Sequence, residues 1–331
     1  MTSTKIVIVG AGAAGLTAAK ELQRLEQDFL LLEASHRIGG RAHTEDLAPG
    51  MPFDLGPHWL MEPSINPLMP LAERDQLRLD KDNKHYTAGR FFDDGEWLPK
   101  DIDRELATYW DKQFDVMAQL GNGDQDRSVL DVIDNDDRWA TYFHGLYAKE
   151  FTRDVDQASA KDPMTFVSKE EDLAVASGFG NLVAQYGANV PVTLNSAVLK
   201  IDSSGPRLKL DTVKGRIHAD KVVLTVSNGV LSARDIEFSP ALPDWKLDAI
   251  DGLPLGSHTR IALMFDKPVL RELPAFFTVN TSGDGPIAFR NQPFGYDYVE
   301  VVTGGRMGEW MEKSGERTTI EFVLAKLREA A

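Results

Sequence analysis

The sequence predicts an α/β fold, on three observations. Residues 5–9 and 29–32 are short, almost wholly apolar segments, as expected of strands buried on both faces of a sheet. A stretch rich in Ala, Leu and Glu lies between them and favours a helix, and residues 221–226 read as a further buried strand. This alternation indicates a parallel sheet covered by helices, which the late strand is expected to rejoin.

The composition is that of a globular protein of about two domains. The 331 residues include 36 Lys and Arg against 51 Asp and Glu, which gives a formal net charge of −15. This balance argues against a general nucleic-acid-binding protein, which needs a basic face. It is compatible with a cationic substrate, because a negative field concentrates cations, and equally with an ordinary acidic surface.

The chain has no cysteine. Disulfides, thiolate zinc sites, iron–sulfur clusters, a cysteine nucleophile and a cofactor tethered through sulfur are therefore excluded within it. The seven His residues show no metal-binding spacing, so no metal site is expected. The apolar N-terminal stretch fits a strand and helix better than a secretory leader, and no membrane span is expected, which favours a cytoplasmic protein.

A complete GxGxxG motif at residues 10–15 follows the first strand directly. In this motif Gly10 allows a tight turn, Gly12 lets a pyrophosphate approach the backbone, and Gly15 lets the helix pack on the strand. The helix N-terminus supplies N–H groups to the phosphates. The motif therefore predicts a dinucleotide site, with a glycine-rich turn that binds no ligand as the alternative.

Two features extend this motif. Glu33 ends the second strand roughly 20 residues after the glycines, the offset expected of an acid that binds a ribose hydroxyl, and its charge disfavours NADP. Guanidinium groups suit phosphate because their planar fork makes two parallel bonds. A second phosphate clamp, or alternatively a solvated surface turn, is predicted at Arg37, Gly39, Gly40 and Arg41.

The GxGxxG motif, the acid and the RxGGR segment at 37–41 together resemble the flavin-dependent amine oxidase superfamily. This group includes monoamine and polyamine oxidases and the lysine-specific histone demethylases. Residues 53–60 (FDLGPHWL) resemble the family's D-L-G-x-x-W loop. Further segments that resemble the family, or its polyamine oxidases, lie at residues 66–72, 178–182, 221–231 and 253–261.

The resemblance implies an FAD-binding, Rossmann-like domain of the glutathione-reductase type with an inserted α+β substrate domain. We expect the discontinuous FAD-binding domain to comprise residues 1–76 and 177–235. The substrate-binding domain is expected at residues 77–176 and 236–331. Within it, an apolar stripe at helical spacing is predicted to be core: Leu106, Trp110, Phe114 and Met117.

The resemblance also implies FAD that is not attached through cysteine and is held without a covalent bond. Val198 matches the strand position against which the family lays adenine. The cofactor-binding residues implied in this way are Gly10, Gly12, Ala13, Ala14, Gly15, Glu33, Ala34, Arg37, Gly39, Gly40, Arg41, Gly56, Pro57, His58, Trp59, Val198 and Thr225.

Two catalytic residues and one substrate residue are implied. Family oxidases usually carry a lysine that faces flavin N5 through a water, and Arg260 stands at the matching position; a strand residue that points to solvent is the alternative. His58 is expected at the flavin edge, or else as a partly buried His with satisfied hydrogen bonds. Glu62 is expected to bind a substrate ammonium, or to be a surface carboxylate.

The implied reaction is the oxidation of an amine. Hydride would pass to flavin N5, the imine would hydrolyse, and dioxygen would reoxidise the flavin and yield hydrogen peroxide. The expected partners are thus a small-molecule amine and dioxygen, with neither nucleic acid nor membrane. A renalase-like oxidase of dihydronicotinamides and a non-catalytic FAD-binding subunit are the alternatives.

The family's second FAD motif, which lies near its C-terminus, has no counterpart in this sequence. We therefore expect either a truncated chain or one whose site is completed by a second polypeptide or by a homo-oligomer.

Overall fold

The computed structural model describes residues 2–80, 89–120, 125–162, 172–265, 273–281 and 285–331. The strands in these ranges are β1 (Thr2–Val9), β2 (Phe29–Leu32), β3 (Thr44–Ala48), β4 (Met51–Asp54), β5 (Trp59–Leu60), β6 (Leu79–Asp80), β7 (Arg90–Asp93), β8 (Glu96–Trp97), β9 (Leu173–Val175), β10 (Val192–Thr193), β11 (Val198–Asp202), β12 (Leu208–Thr212), β13 (Gly215–Leu224), β14 (Glu237–Ser239), β15 (His258–Met264), β16 (Phe276–Thr281), β17 (Gly285–Asn291) and β18 (Tyr298–Gly304).

The helices in these ranges are α1 (Ala13–Arg24), α2 (Met69–Arg74), α3 (Ile102–Gln119), α4 (Ala140–Phe151), α5 (Phe179–Tyr186), α6 (Asn228–Ser232), α7 (Asp244–Asp251), α8 (Gly305–Ser314) and α9 (Glu316–Ala330). A short 3-10 helix lies at Pro293–Gly295. Within the described part of the chain, no helix has both the length and the apolar character needed to cross a membrane.

The chain divides into two compact units. The first comprises Met1–Lys81 and Asp172–Leu255, and the second comprises Asp82–Glu171 and Gly256–Ala331. Residues 236–255 thus lie in the first unit, because β14 pairs with β11 and α7 packs against α6. Which unit serves the cofactor and which serves the substrate stays a prediction.

The first unit contains a seven-stranded sheet in the order β10-β2-β1-β13-β12-β11-β14. Strand β1 runs parallel to β2 and to β13, and β2 runs parallel to β10. Helix α1 connects β1 to β2, so the first two strands and this helix form a βαβ unit. The predicted α/β class is confirmed, and the strand predicted near residue 221 joins the first sheet as the last part of β13.

Helix α1 packs on this sheet through two small residues and a leucine. Its buried face carries Gly15, Leu16 and Ala19, which recur at the spacing of one helical face. Leu16 and Ala19 share a core with Ile8 of β1 and Leu31 of β2, both fully buried. The axis of the helix is thereby held close to the sheet, with its N-terminus next to the end of β1.

Two small sheets of the first unit frame the segment that follows the RxGGR motif. Strand β3 pairs with β4, and β5 pairs with β9, which also pairs with β6. The loop at residues 55–58 connects β4 to β5 and therefore has a fixed strand on each side.

The second unit is built on a six-stranded sheet in the order β15-β18-β17-β16-β7-β8. Helices α8 and α9 pack on one face, where apolar residues of the central strands form a core with residues such as Met311 and Val323. Helix α4 lies against β17 and β18. The stripe predicted on α3 is confirmed as core: Leu106, Trp110 and Met117 are buried, and Phe114 packs against them partly buried.

Candidate functional site

The glycine loop between β1 and α1 has two glycines that the chain itself requires. Gly10 has φ +101°, a backbone conformation that residues with a side chain rarely adopt. A Cβ on Gly15 would lie 1.8 Å from the carbonyl oxygen of Gly10, so only glycine lets the helix start so close to the strand. The Gly10 N–H donates to the carbonyl of Leu32, which ties the loop to β2.

Gly12 differs from these two glycines. Its φ of −76° is open to any residue, and a Cβ would come no closer than 4.0 Å to protein atoms, the nearest of which belong to Gly39 and Gly40. The next residues, Ala13 and Ala14, are exposed and begin α1 without a side-chain cap. The N–H groups of this first helical turn therefore lack partners within the helix and suit an anion.

The RxGGR segment lies directly beside the glycine loop. Gly39 donates its N–H to the carbonyl of Ala11 at 2.9 Å and forms a parallel bridge with Gly12. The Arg37 Nη1 donates to the carbonyl of Gly40 at 2.9 Å, so this side chain braces the segment from within. Within the described ranges the exposed guanidinium of Arg41 has no hydrogen-bond or ion-pair partner.

Glu33 is a buried carboxylate at the end of β2. It accepts the N–H of Ala11 at 2.7 Å and the N–H of Ser35 at 2.9 Å, one on each oxygen. A carboxylate has about four lone-pair sites, so each oxygen can accept a second hydrogen bond. Ala34, which follows it, is exposed.

Two more of the predicted cofactor residues lie in the seven-stranded sheet or at its edge. The Thr225 hydroxyl donates to the carbonyls of Val9 and Gly10, at 2.9 and 3.0 Å. It thereby joins the glycine loop to the end of β13, which Thr225 follows directly. Val198 is buried at the start of β11, opposite Thr212.

The loop at residues 55–58 packs on the end of the RxGGR segment. A Cβ on Gly56 would lie 2.0 Å from the carbonyl oxygen of Arg41, and Leu55 donates its N–H to the carbonyl of His43. Pro57 is exposed, whereas the buried His58 meets the ring of Trp59 edge to face at 4.6 Å between centroids. The glycine loop, the RxGGR segment and the loop at residues 55–58 therefore adjoin one another in this order.

A buried carboxylate, Asp54, anchors this loop. It accepts hydrogen bonds from the Thr44 hydroxyl at 2.5 Å and from the Phe179 and Gly180 N–H groups at the start of α5, at 2.9 and 3.0 Å. The Nδ1 of His58 lies 3.4 Å from its Oδ2. Burial alone would raise the pKa of Asp54, but these four interactions outweigh burial and hold the pKa below its ordinary value.

Arg260 lies in the second unit, on β15. Its Nε donates to Oε1 of Glu300 on β18 at 2.6 Å, and its Nη2 donates to the same oxygen. The two side chains are 7% and 3% exposed, so the alternative of a side chain that points to solvent is wrong. Nη1 of Arg290, on β17, lies 3.8 Å from the other Glu300 oxygen.

Glu62 is half-buried and has a left-handed backbone, with φ +47°. Its carbonyl accepts the N–H groups of Ile65 and Asn66, which closes a turn after β5. In the sequence Glu62 follows His58 by four residues.

A separate cavity of about 410 Å³ opens in the second unit, between α4, α8 and the sheet. His144, Asp154, Arg306 and Trp310 are among its lining residues, and the predicted site residues are not. Arg306 already pairs with Asp156 through both terminal nitrogens. No group of three or more His, Asp or Glu side chains in the described ranges could hold a metal ion.

Sequence reasoning missed three residues of these sites. Asp54 lies in the FDLGPHWL segment, and its place at the end of a strand, two residues before a glycine, was a signal that could have identified it. Glu300 and Arg290 gave no signal, because a charged residue in a strand is not distinguishable by spacing from one that faces water.

Comparison with known proteins identifies similarity over nearly the whole chain. The probable polyamine oxidase 4 of Arabidopsis thaliana is 27% identical in an alignment of 363 positions, and the alignment covers 98% of this chain and 71% of that protein. Polyamine oxidase 5 of Oryza sativa subsp. japonica is 26% identical in an alignment of 354 positions, with the same two coverages. A solved structure of wild-type putrescine oxidase bound to putrescine shares the fold, with a TM-score of 0.75 at 19% identity over 99% of this chain and 81% of that one.

The sequence model of one protein family matches most of the chain. It is described as "Flavin containing amine oxidoreductase", and its matches span residues 13–153 and 115–330. They thus take in α1, the RxGGR segment, the Asp54 loop and the strand that bears Arg260. The chain therefore belongs to the flavin containing amine oxidoreductases and is a flavin-dependent oxidoreductase.

Proposed function

We propose that this chain binds FAD through its two adjoining glycine loops and oxidises a small-molecule amine. The observation that carries the proposal is the pairing of these loops at the N-terminus of α1. Gly12 leaves open the space that a Cβ would occupy, and the exposed guanidinium of Arg41 lies in the adjoining segment. A pyrophosphate suits this combination of N–H groups, cation and space.

The remaining cofactor residues take roles that their contacts support. Glu33 would accept a ribose hydroxyl with the lone pairs left after its two backbone hydrogen bonds. Val198 would lie against the adenine, and Arg37 and Thr225 would hold the loops in shape. FAD would not be attached through sulfur, since the chain has no cysteine to form a thioether, and we propose that it is held without any covalent link.

When bound, FAD would supply an acceptor for hydride from the carbon next to the amine nitrogen and a route for the electrons to dioxygen. The protein's part is to position and to exchange protons. His58, whose Nδ1 faces the ionised Asp54, is the residue suited to hold or release a proton at Nε2. A guanidinium is a poor proton donor, so Arg260 would orient rather than transfer a proton. Glu62 would bind the substrate ammonium.

The substrate class we propose is a di- or polyamine. The plant relatives carry the name polyamine oxidase, and they are similar to this chain over nearly all of its length. The formal net charge of −15 supports the same class, because a negative field favours the approach of polycations.

The test is a flavin titration followed by anaerobic reduction. The purified chain should take up FAD and show the two absorbance bands of an oxidised flavin. Putrescine, spermidine or spermine should bleach these bands without oxygen, and air should restore them with release of peroxide. Absence of FAD uptake would overturn the cofactor assignment.

A second panel separates the alternatives. Reduction of the flavin by dihydronicotinamides and not by amines would favour a renalase-like oxidase over an amine oxidase. A flavin that neither panel reduces would mark the chain as a non-catalytic FAD-binding protein, and either outcome would overturn amine oxidation.

A further inference from the structure

We propose that Glu300 is a positioning residue that fixes the guanidinium of Arg260 for the reaction. The inference rests on the proposed function, in which Arg260 orients the reacting groups. Its structural basis is a buried charge cluster that spans three neighbouring strands of the second unit and comprises Arg260, Glu300 and Arg290. We call this set the arginine cluster.

The strand register brings the arginine cluster together. Glu300 on β18 stands opposite Ala262 on β15 and opposite Arg290 on β17. Arg260 is two residues from Ala262 and therefore points to the same face of the sheet. Because Ala262 is small, the side chain of Arg260 can extend along β15 until it reaches the Glu300 carboxylate.

The contact fixes one edge of the guanidinium. Both Nε and Nη2 of Arg260 donate to Oε1 of Glu300, the first at 2.6 Å. Two donors that converge on one oxygen direct this edge of the guanidinium at the Glu300 carboxylate more closely than a single hydrogen bond would. Lysine could not replace Arg260 here without loss of one of these contacts, since its ammonium is a single point charge.

Glu300 is itself held from the opposite side. Arg290 Nη1 lies 3.8 Å from Oε2, so each carboxylate oxygen faces a different arginine. The Arg290 guanidinium carbon lies 5.6 Å from the ring centre of Phe276 and 5.1 Å from that of Phe294. Phe294 has φ +56°, which is unfavourable for a bulky residue and requires support from its surroundings.

These contacts explain why the cluster is suited to positioning. Buried charges are tolerated only when partners with good geometry compensate them, so loss of Glu300 would remove the carboxylate that both Nε and Nη2 of Arg260 contact. A buried arginine without its carboxylate would turn toward other acceptors or water. The displacement of a group that orients the reactants by about 1 Å is enough to lower a rate by about 100-fold.

The first experiment compares two variants of Glu300 with a matched control. Glu300→Gln removes the charge at constant size, and Glu300→Asp keeps the charge on a shorter arm. Glu237→Gln makes the same change in an exposed ion pair, with Lys200 at 2.6 Å. The probe is whichever of putrescine, spermidine and spermine reduces the wild-type flavin fastest, measured anaerobically.

We expect Glu300→Gln to lower the limiting rate of flavin reduction by up to about 100-fold, with less effect on the amine concentration at half-maximal rate. Glu300→Asp should recover part of the rate, and Glu237→Gln should match the wild type. The dissociation constant for FAD should be the same in all of them. A wild-type reduction rate in Glu300→Gln would overturn the inference.

A double-mutant cycle distinguishes positioning from general support of the fold. Arg260→Met removes the group that Glu300 is proposed to hold, so Glu300→Gln should then change the reduction rate less than about twofold in the double variant. An equal fold-loss in both backgrounds would show that Glu300 acts independently of Arg260, which contradicts the proposal.

The same four proteins report on the contact without any cofactor. In FAD-free chains the shifts of the urea midpoint should be non-additive, whereas additive shifts would contradict a direct contact. If no amine reduces the wild-type flavin, the proposed function itself fails. If the wild type is active but the kinetic cycle is additive, only the role of Glu300 fails.

Discussion

Gly12 and Gly15 lie three residues apart and lack a side chain for opposite reasons. Gly15 sits against the backbone of its own loop, whereas a Cβ on Gly12 would meet no protein atom closer than 4.0 Å. We expect Gly15→Ala to lower the free energy of unfolding by about 1–3 kcal/mol, because backbone must move. Gly12→Ala should leave the free energy of unfolding within about 1 kcal/mol of wild type and weaken FAD binding about tenfold.

The measurements are urea unfolding of the FAD-free chain and FAD titration by flavin fluorescence. Gly205→Ala is the matched control, since Gly205 lies in a surface turn where a Cβ would have ordinary contacts at 3.7 Å or more. Equal FAD affinity in Gly12→Ala and Gly205→Ala would mean that no phosphate approaches Gly12.

Glu33 is expected to support the loop before any cofactor binds. Its two oxygens accept the Ala11 and Ser35 N–H groups, and Glu33→Gln would turn an amide donor toward one of them. A buried N–H that loses its acceptor costs about 1–3 kcal/mol. We therefore expect Glu33→Gln to lower the free energy of unfolding of the FAD-free chain by about 1–3 kcal/mol, as measured by urea unfolding.

Glu45→Gln is the control for this change, because Glu45 is exposed and pairs only with the His43 ring among the contacts described. Its effect on the free energy of unfolding should stay within about 0.5 kcal/mol. A similarly small effect in Glu33→Gln would assign Glu33 to the ligand alone and not to the loop.

At the scale of elements, Asp54 joins strand β4 to the N-terminus of α5. Two N–H groups of the first turn of α5 donate to its carboxylate. The positive end of the helix dipole lies at this turn and favours the ionised form. The pKa of Asp54 is lowered from its ordinary value of 3.8, so the unfolded chain binds this proton more readily than the folded chain. The stabilisation is therefore complete above that ordinary value and is lost as the pH falls below it.

We expect Asp54→Asn to cost about 1–3 kcal/mol near neutral pH, where the carboxylate is ionised. Between about pH 5 and pH 3 the free energy of unfolding of the wild type should fall more steeply than that of Asp54→Asn. Urea midpoints measured across this range give the two slopes. Asp248→Asn makes the same change at an exposed position of α7 and should keep the wild-type dependence of the free energy of unfolding on pH. An unchanged pH dependence in Asp54→Asn would refute the linkage.

Local patterns were enough to predict the first βαβ unit and the glycine loop. The spacing of Gly10, Gly12 and Gly15, with apolar strands on either side, fixes the conformation within a few residues. Such patterns could not predict the contacts of Asp54, because two of its hydrogen-bond donors lie on a helix 125 and 126 residues further along the chain. Which residue opposes Glu300 depends on strand register, which one sequence does not determine.

At the scale of the whole molecule, the excess of acidic residues is a property that no single site explains. Lys and Arg number 36 against 51 Asp and Glu, and the isoelectric point is about 4.9. Such a charge does not select a fold, but it sets a field that extends into the surrounding solution. The range of that field falls with salt, from about 30 Å at 0.01 M to about 8 Å at 0.15 M.

If the substrate is a polyamine, this field should speed its encounter with the protein. We expect kcat/KM for spermine to fall up to about tenfold when the ionic strength rises from about 0.01 M to about 0.15 M. A monoamine such as benzylamine, with a single charge, should show a shallower slope in the same buffers. The limiting rate kcat should change little for either amine, because it does not include the encounter. Equal slopes for the two amines would show that the net charge of −15 has no part in substrate capture and reflects only an acidic surface.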